Sequence, residues 1–258
     1  MRRLLKIVLL VLGLLAAGAA ALLFSVFGGK APIPDGMRIG AVAVVKDGYV
    51  SAYLLDTGQG EAALVDTGND GDARAILAAL TRRSLDPLAV KAVLLTHGDA
   101  DHTNGAHVFP GATVMAMAPD VDLAEGKVAR MPFASAHPTG IKVGQRLKDG
   151  DVLNVGTLRV EVFAVPGHTA GSAAFLIDGV LLLGDSAEVS SDGKLEPATW
   201  FFCQDRPQNR ASLKQLAGRL AARAGDVRAI ACSHSGVLTN GLEPLRELAS
   251  RLASEKSP

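Results

Sequence analysis

The stretch Leu94-Leu95-Thr96-His97-Gly98-Asp99-Ala100-Asp101-His102-Thr103-Asn104-Gly105 carries two histidines and two aspartates within six residues. It follows an apolar run, Val90 to Leu95, that reads as a short buried strand, with Gly98 and Gly105 as turn and close-approach positions. Side chains alternate along extended chain, so His97, Asp99 and Asp101 should leave on one side, and His102 should follow where the chain turns towards a helix. Imidazoles and carboxylates converging this closely form a donor set for a divalent metal.

Four further segments repeat the theme. Pro166-Gly167-His168-Thr169-Ala170-Gly171-Ser172 follows the strand-like run Leu158 to Ala164, and Leu181-Leu182-Leu183-Gly184-Asp185-Ser186 ends another in a carboxylate. Ala229-Ile230-Ala231-Cys232-Ser233-His234-Ser235-Gly236 ends a fourth run in a histidine, and Ala63-Leu64-Val65-Asp66-Thr67-Gly68 is a strand stopping at an aspartate and a glycine. Each has a bland reading alone: a turn after a strand, a hydrogen-bonded core histidine, a solvated helix start. Five strands ending this way, in this order, make coincidence a poor explanation, because loops at strand ends are where sheet-based enzymes place their chemistry.

In that order the motifs resemble the metallo-β-lactamase-fold hydrolases, the superfamily that includes glyoxalase II, over roughly Arg38 to Arg251. The resemblance implies an α/β fold, a four-layer αββα sandwich. It also implies a metal-bound hydroxide acting on a small-molecule ester, thioester, lactone or phosphoester. His97 and His168 would hold the first of two divalent ions, and Asp101, His102 and His234 the second. Asp185 would bridge them at the roughly 3.5–4 Å spacing of two-metal sites, and Asp66 would orient a ligand from behind. Zinc is the first expectation, with manganese or iron as alternatives. Asp101 and Asp185 are the candidate catalytic carboxylates, holding the hydroxide, with Asp101 as proton acceptor.

One position departs from the family's usual His-x-His-x-Asp-His. Asp99 stands where the second histidine is expected. It binds the first metal as a carboxylate, or holds a water and leaves that site weak, or marks a site that no longer binds. In the first case the centre's net charge falls from about +1 to about zero, which weakens its polarising power and favours harder ions. Flavodiiron oxygen reductases and DNA-uptake channel proteins also carry an acidic residue here, but the fused flavin domain and the large channel that go with it are not in this sequence. True β-lactamases generally lack the bridging aspartate, so Asp185 and the Pro166–Ser172 motif point to the glyoxalase II branch. A binding domain with a degraded site and an iron-dependent oxidoreductase are the competing readings.

The 258 residues suit one domain plus an appendage. Lysine and arginine total 26, as do aspartate and glutamate, and no basic block marks the soluble part, so nucleic acid is not an expected partner. The appendage is residues 1–28. Arg2, Arg3 and Lys6 precede an apolar stretch from Ile7 to Phe27, long enough to span a bilayer and charged so as to keep the N-terminus in the cytoplasm. A single-pass inner-membrane anchor, with the catalytic domain outside, competes with a signal peptide cleaved near Ala16 to Ala21 to release a periplasmic protein. Residues 29–37 read as a linker and 38–258 as the metallo-β-lactamase-fold domain. The oligomeric state is open.

Helices are expected at Asp72–Arg83, Ala211–Arg223 and Leu242–Ala253, from leucines and alanines at helical spacing. Met117 to Pro138 is ambiguous by pattern, with a loop over the site as one reading. Glu188 to Gln208 carries Thr199-Trp200-Phe201-Phe202, either a wall of an apolar substrate pocket or ordinary core. His107 and His137 read as surface histidines. In an oxidising compartment Cys203 and Cys232 could pair, although Cys232 reads better as a small buried hydrophobe.

Overall fold

The computed structural model describes residues 2–131 and 135–255. After a long helix, α1 (Arg2–Phe27), come β1 (Arg38–Ile39), β2 (Val42–Asp47), β3 (Val50–Gly58), β4 (Glu61–Val65), α2 (Arg74–Thr81), β5 (Val90–Leu94), α3 (Ala100–Thr103), β6 (Thr113–Met117), α4 (Val121–Ala124) and β7 (Val143–Leu147). The second half holds β8 (Val152–Val155), β9 (Leu158–Ala164), β10 (Ala173–Ile177), β11 (Val180–Leu182), β12 (Ala187–Val189), β13 (Leu195–Pro197), α5 (Arg206–Ala221), β14 (Ala229–Ala231), β15 (Val237–Leu238) and α6 (Glu243–Ser254). Strands β1 to β7 form one sheet in chain order, and β15-β14-β11-β10-β9-β8 form the other.

The layers follow from where the apolar side chains go. Tyr53, Leu55, Val65 and Leu94 of the first sheet meet Val160, Val162, Phe175, Ile177 and Leu182 of the second in a core between the sheets. Ile76 and Leu80 of α2 cover the outer face of the first sheet with Phe109, and Leu213, Leu216 and Leu220 of α5 join Leu245 and Leu248 of α6 on the second. Strands buried on both faces read as continuous apolar runs, which is why β10 and β11 show no alternation. The result is the expected αββα sandwich.

Boundaries moved where capping outweighed periodicity. Helix α5 begins at Arg206, five residues before its leucine pattern, because the Asp205 carboxylate accepts from Gln208 N–H and Pro207 suits the first turn. Met117 to Pro138 contains α4 as well as loop, and residues 132–134 of that expected loop lie outside the described residues. Residues 29–37 do not hang free: Ala31 N–H donates to Val189 O at 2.8 Å, and Lys30 bridges to Ser190. Cys232 is buried with the apolar groups packed under α5 and α6, and both cysteines are free thiols, so the pairing considered above does not form.

Candidate metal centre

Strands β4, β5, β9, β11 and β14 all end at one edge of the sandwich, and their following loops bring Asp66, His97 to His102, His168, Asp185 and His234 together. Asp66 closes β4 with φ of 57°, a costly conformation for a non-glycine residue that tends to mark a functional position. Its carboxylate accepts from Thr96 N–H at 2.8 Å and Thr96 Oγ1 at 2.7 Å, and lies 2.9 Å from His102 Nδ1. Glycine is required at 184, where φ is 55° and a Cβ would sit 2.7 Å from Thr96. Only there can β11 come close enough to the first motif to deliver Asp185.

The first motif is not a simple alternation. Asp99 is extended, but α3 starts at Ala100, with His102 N–H donating to Asp99 O at 3.0 Å. Helical rotation therefore separates Asp101 from His97 and Asp99, correcting the expectation that the three leave on one side. Two donor triplets result, His97 with Asp99 and His168, and Asp101 with His102 and His234, and a third group, His97 with His102 and Asp185, overlaps both; in each, one donor atom per residue lies within 4.8 Å of the others. Asp185 stands between the triplets, its oxygens 3.3 Å from His102 Nε2, 3.1 Å from His234 Nε2 and 3.8 Å from His168 Nε2. Asp99 Oδ2 lies 3.1 Å from His168 Nε2 and 3.4 Å from His97 Nε2.

The donor chemistry fits divalent ions. His102 Nδ1 is held by Asp66 and His234 Nδ1 donates to Tyr49 O at 3.0 Å, so in both rings Nε2 faces the cluster. His97 Nε2 and Asp185 Oδ1 are buried without a hydrogen bond, a costly state that a cation would relieve. Burial opposes ionisation of Asp185, but the His234 and His102 imidazoles hold its pKa well below the usual carboxylate range. Burial likewise acts to lower the His234 pKa, but Asp185 and Asp101 outweigh it and push it up to about 10. His102 is held high against burial by Asp185 and Asp66. Those protons must leave before these nitrogens bind metal. Loading near neutral pH should therefore release protons, and apparent affinity should climb with pH until His234 deprotonates. Calorimetric titration in two buffers of different ionisation enthalpy checks this; identical heats would show that no proton is displaced.

Several contributors were missed at the level of sequence. Arg130 Nε lies 2.6 Å from Asp99 Oδ1, an ion pair whose N–H points off the line, and the guanidinium also donates to His168 O at 3.0 Å and Phe202 O at 2.5 Å. Buried Asp120 accepts from Gly98 N–H, Gly171 N–H and Thr169 Oγ1 at 2.7 to 2.9 Å, joining the two loops that carry His97 and His168. Tyr49 stacks on His234 at 5.6 Å between centroids. None of these lies in a motif, and only the general expectation of a loop over the site pointed towards Arg130. The centre opens into a cavity of about 740 Å³ lined on its far side by Phe27, Met131, Thr199 and Phe202. Trp200, Phe201 and Phe202 are exposed, which rules out ordinary core for them. His107 and His137 are exposed, as expected, and belong to none of these donor groups.

Residues 45–234 match the model of the metallo-beta-lactamase superfamily. The chain belongs to that superfamily. It is a metal-dependent hydrolase. A hydroxyacylglutathione hydrolase of Xanthomonas euvesicatoria pv. vesicatoria is 33% identical over 204 residues, 79% of this chain and 67% of that protein. One from a Synechococcus strain is 30% identical, over 79% of this chain and 70% of its own. Among solved structures, a metallo-beta-lactamase family protein from Thermus thermophilus superposes with a TM-score of 0.63 and 27% identity, covering 84% of this chain and 80% of its own. A B3 metallo-beta-lactamase with an active-site glutamic acid shares the fold at a TM-score of 0.62 and 23% identity, over 93% and 97% of the two chains.

Proposed function

We propose that the chain is a binuclear hydrolase of acyl thioesters or esters, held at the outer face of a membrane by α1. The observation that carries it is Asp185 standing between two donor triplets and grouping with His97 of one and His102 of the other. His97, Asp99 and His168 would hold one ion and Asp101, His102 and His234 the other, zinc first and manganese or iron as alternatives. When bound, such ions acidify a water molecule and polarise a carbonyl oxygen. Asp101, half-buried at the cavity floor, is placed to accept the proton that water gives up. The relatives' name, hydrolase of hydroxyacyl-glutathione, supports an acyl thioester. The anchor rests on Leu9–Phe27, with a mean hydropathy of 2.5, and on Arg2, Arg3 and Lys6 before it, a charge bias that keeps the N-terminus cytoplasmic.

Elemental mass spectrometry of the full chain, purified without added metal, tests the binuclear reading. Close to two ions per chain are expected; one or none would overturn it. Arg130 gives a finer test. Its charge beside Asp99 opposes a cation there, so Arg130→Gln should tighten the weaker metal step by about tenfold or more. Competition against a chelator measures this, and unchanged affinity would mean that Asp99 is not a ligand.

A further inference from the structure

The last turn of α1 belongs to the site. Although Leu9 to Phe24 present exposed apolar side chains, Val26 is buried against the domain, and Phe27 packs on Phe202 with ring centroids 6.0 Å apart. Phe27 and Phe202 both line the cavity over the donor triplets. Beyond them Trp200, Phe201 and Phe202 stack edge to face, at 5.6 and 5.0 Å between centroids, and all three remain exposed beside exposed Met131. Phe27 and Phe202 line that cavity, and Trp200, the sole tryptophan, continues the cluster through Phe201 into the neighbouring groove lined by Ser25, Val26 and Gly28, where the apolar helix ends. An apolar patch of this kind needs a partner, and aromatic side chains with one apolar and one wet end favour the membrane interface. The pinning of Gly29 to Ala31 along Val189 to Ser191 leaves little slack between helix and domain. A bilayer around α1 therefore meets this rim.

We propose that the mouth of the site rests on the membrane surface, with Phe27, Met131, Trp200, Phe201 and Phe202 as its lip, and that it admits a substrate with a long acyl chain taken up from the bilayer. The chain would lie along Phe27 and Phe202, and its carbonyl carbon would reach the donor triplets. Water adds its oxygen to that carbon, the bond to the leaving sulfur or oxygen breaks, and the products are a fatty acid and a thiol or alcohol. This substrate class rests on the hydrolase reading above; the placement of the lip does not.

Because Trp200 is the only tryptophan, its fluorescence reports the lip without substitution. Full-length protein is reconstituted into phosphatidylglycerol vesicles with either brominated or unbrominated phosphatidylcholine. Several-fold quenching by the brominated lipid is expected; equal emission in both would overturn the membrane-facing mouth. The metal-loaded protein in the same vesicles is then offered acyl thioesters from acetyl to octanoyl. Each buried methylene is worth up to roughly fourfold, so kcat/KM should rise at least about tenfold across the series. Quenching with a flat series would overturn the acyl-chain pocket while the hydrolase stands. Quenching with no turnover of any acyl thioester or ester would overturn the hydrolase reading and the substrate class with it, leaving the placement of the lip supported.

Discussion

Asp185→Asn should lower kcat/KM by about a thousandfold, equivalent to about 4 kcal/mol of transition-state stabilisation. The side chain is nearly isosteric, so packing around Gly184 and Thr96 survives, and the loss is one of charge. Asp185 faces His102, His168 and His234 at 3.1 to 3.8 Å and is the one carboxylate within reach of imidazoles from both triplets. An amide offers a weaker donor oxygen and no negative charge, so the position facing both triplets would lose the charge with which Asp185 would hold divalent ions. The measurement is kcat/KM at saturating metal, with metal content determined on the same samples. Near-normal turnover with two ions bound would sink the two-metal mechanism. A thousandfold loss with metal content intact would place the effect in the reaction rather than in loading.

Asp120→Ala should be the most damaging change to stability near the site, costing about 3 to 5 kcal/mol. Asp120 is 2% exposed, and its two oxygens take three hydrogen bonds, two of them from backbone N–H groups. Removing the carboxylate strands those donors in the interior, where each unpaired group costs about 1 to 3 kcal/mol. The loop at Gly98 has little room to rearrange, because even a Cβ there would lie 2.8 Å from Ala124 N and 2.9 Å from Leu123. Urea unfolding of the metal-free protein should show the lower midpoint, and metal affinity should fall as well, since the loops bearing His97 and His168 lose their common anchor. Wild-type stability in the variant would mean that water replaces the carboxylate.

The candidate metal donors were legible because each lies where an apolar strand stops, and a strand buried on both faces leaves an unmistakable run of Val, Leu, Ile and Ala. His97, His168, Asp185 and His234 each sit three or four residues beyond the end of such a strand. The sandwich was legible for the same reason, as were α2 and α6, whose buried leucines and isoleucine repeat at helical spacing. The division of labour inside the first motif was not. Whether Asp101 follows Asp99 on an extended chain or turns with a helix depends on a hydrogen bond from His102 N–H to Asp99 O, and local spacing allows both.

By itself, then, the sequence determined the family, the strand-end donors and the apolar N-terminal segment, since each is written in residues close together along the chain. Tertiary structure alone decided that Arg130 pairs with Asp99, that Asp120 ties two loops, that the cysteines stay apart and that Phe27 meets Phe202. Those pairs lie between 22 and 175 residues apart, or never meet at all. Contacts at such separations are set by how the two sheets and their covering helices pack, and no local pattern of residues encodes them.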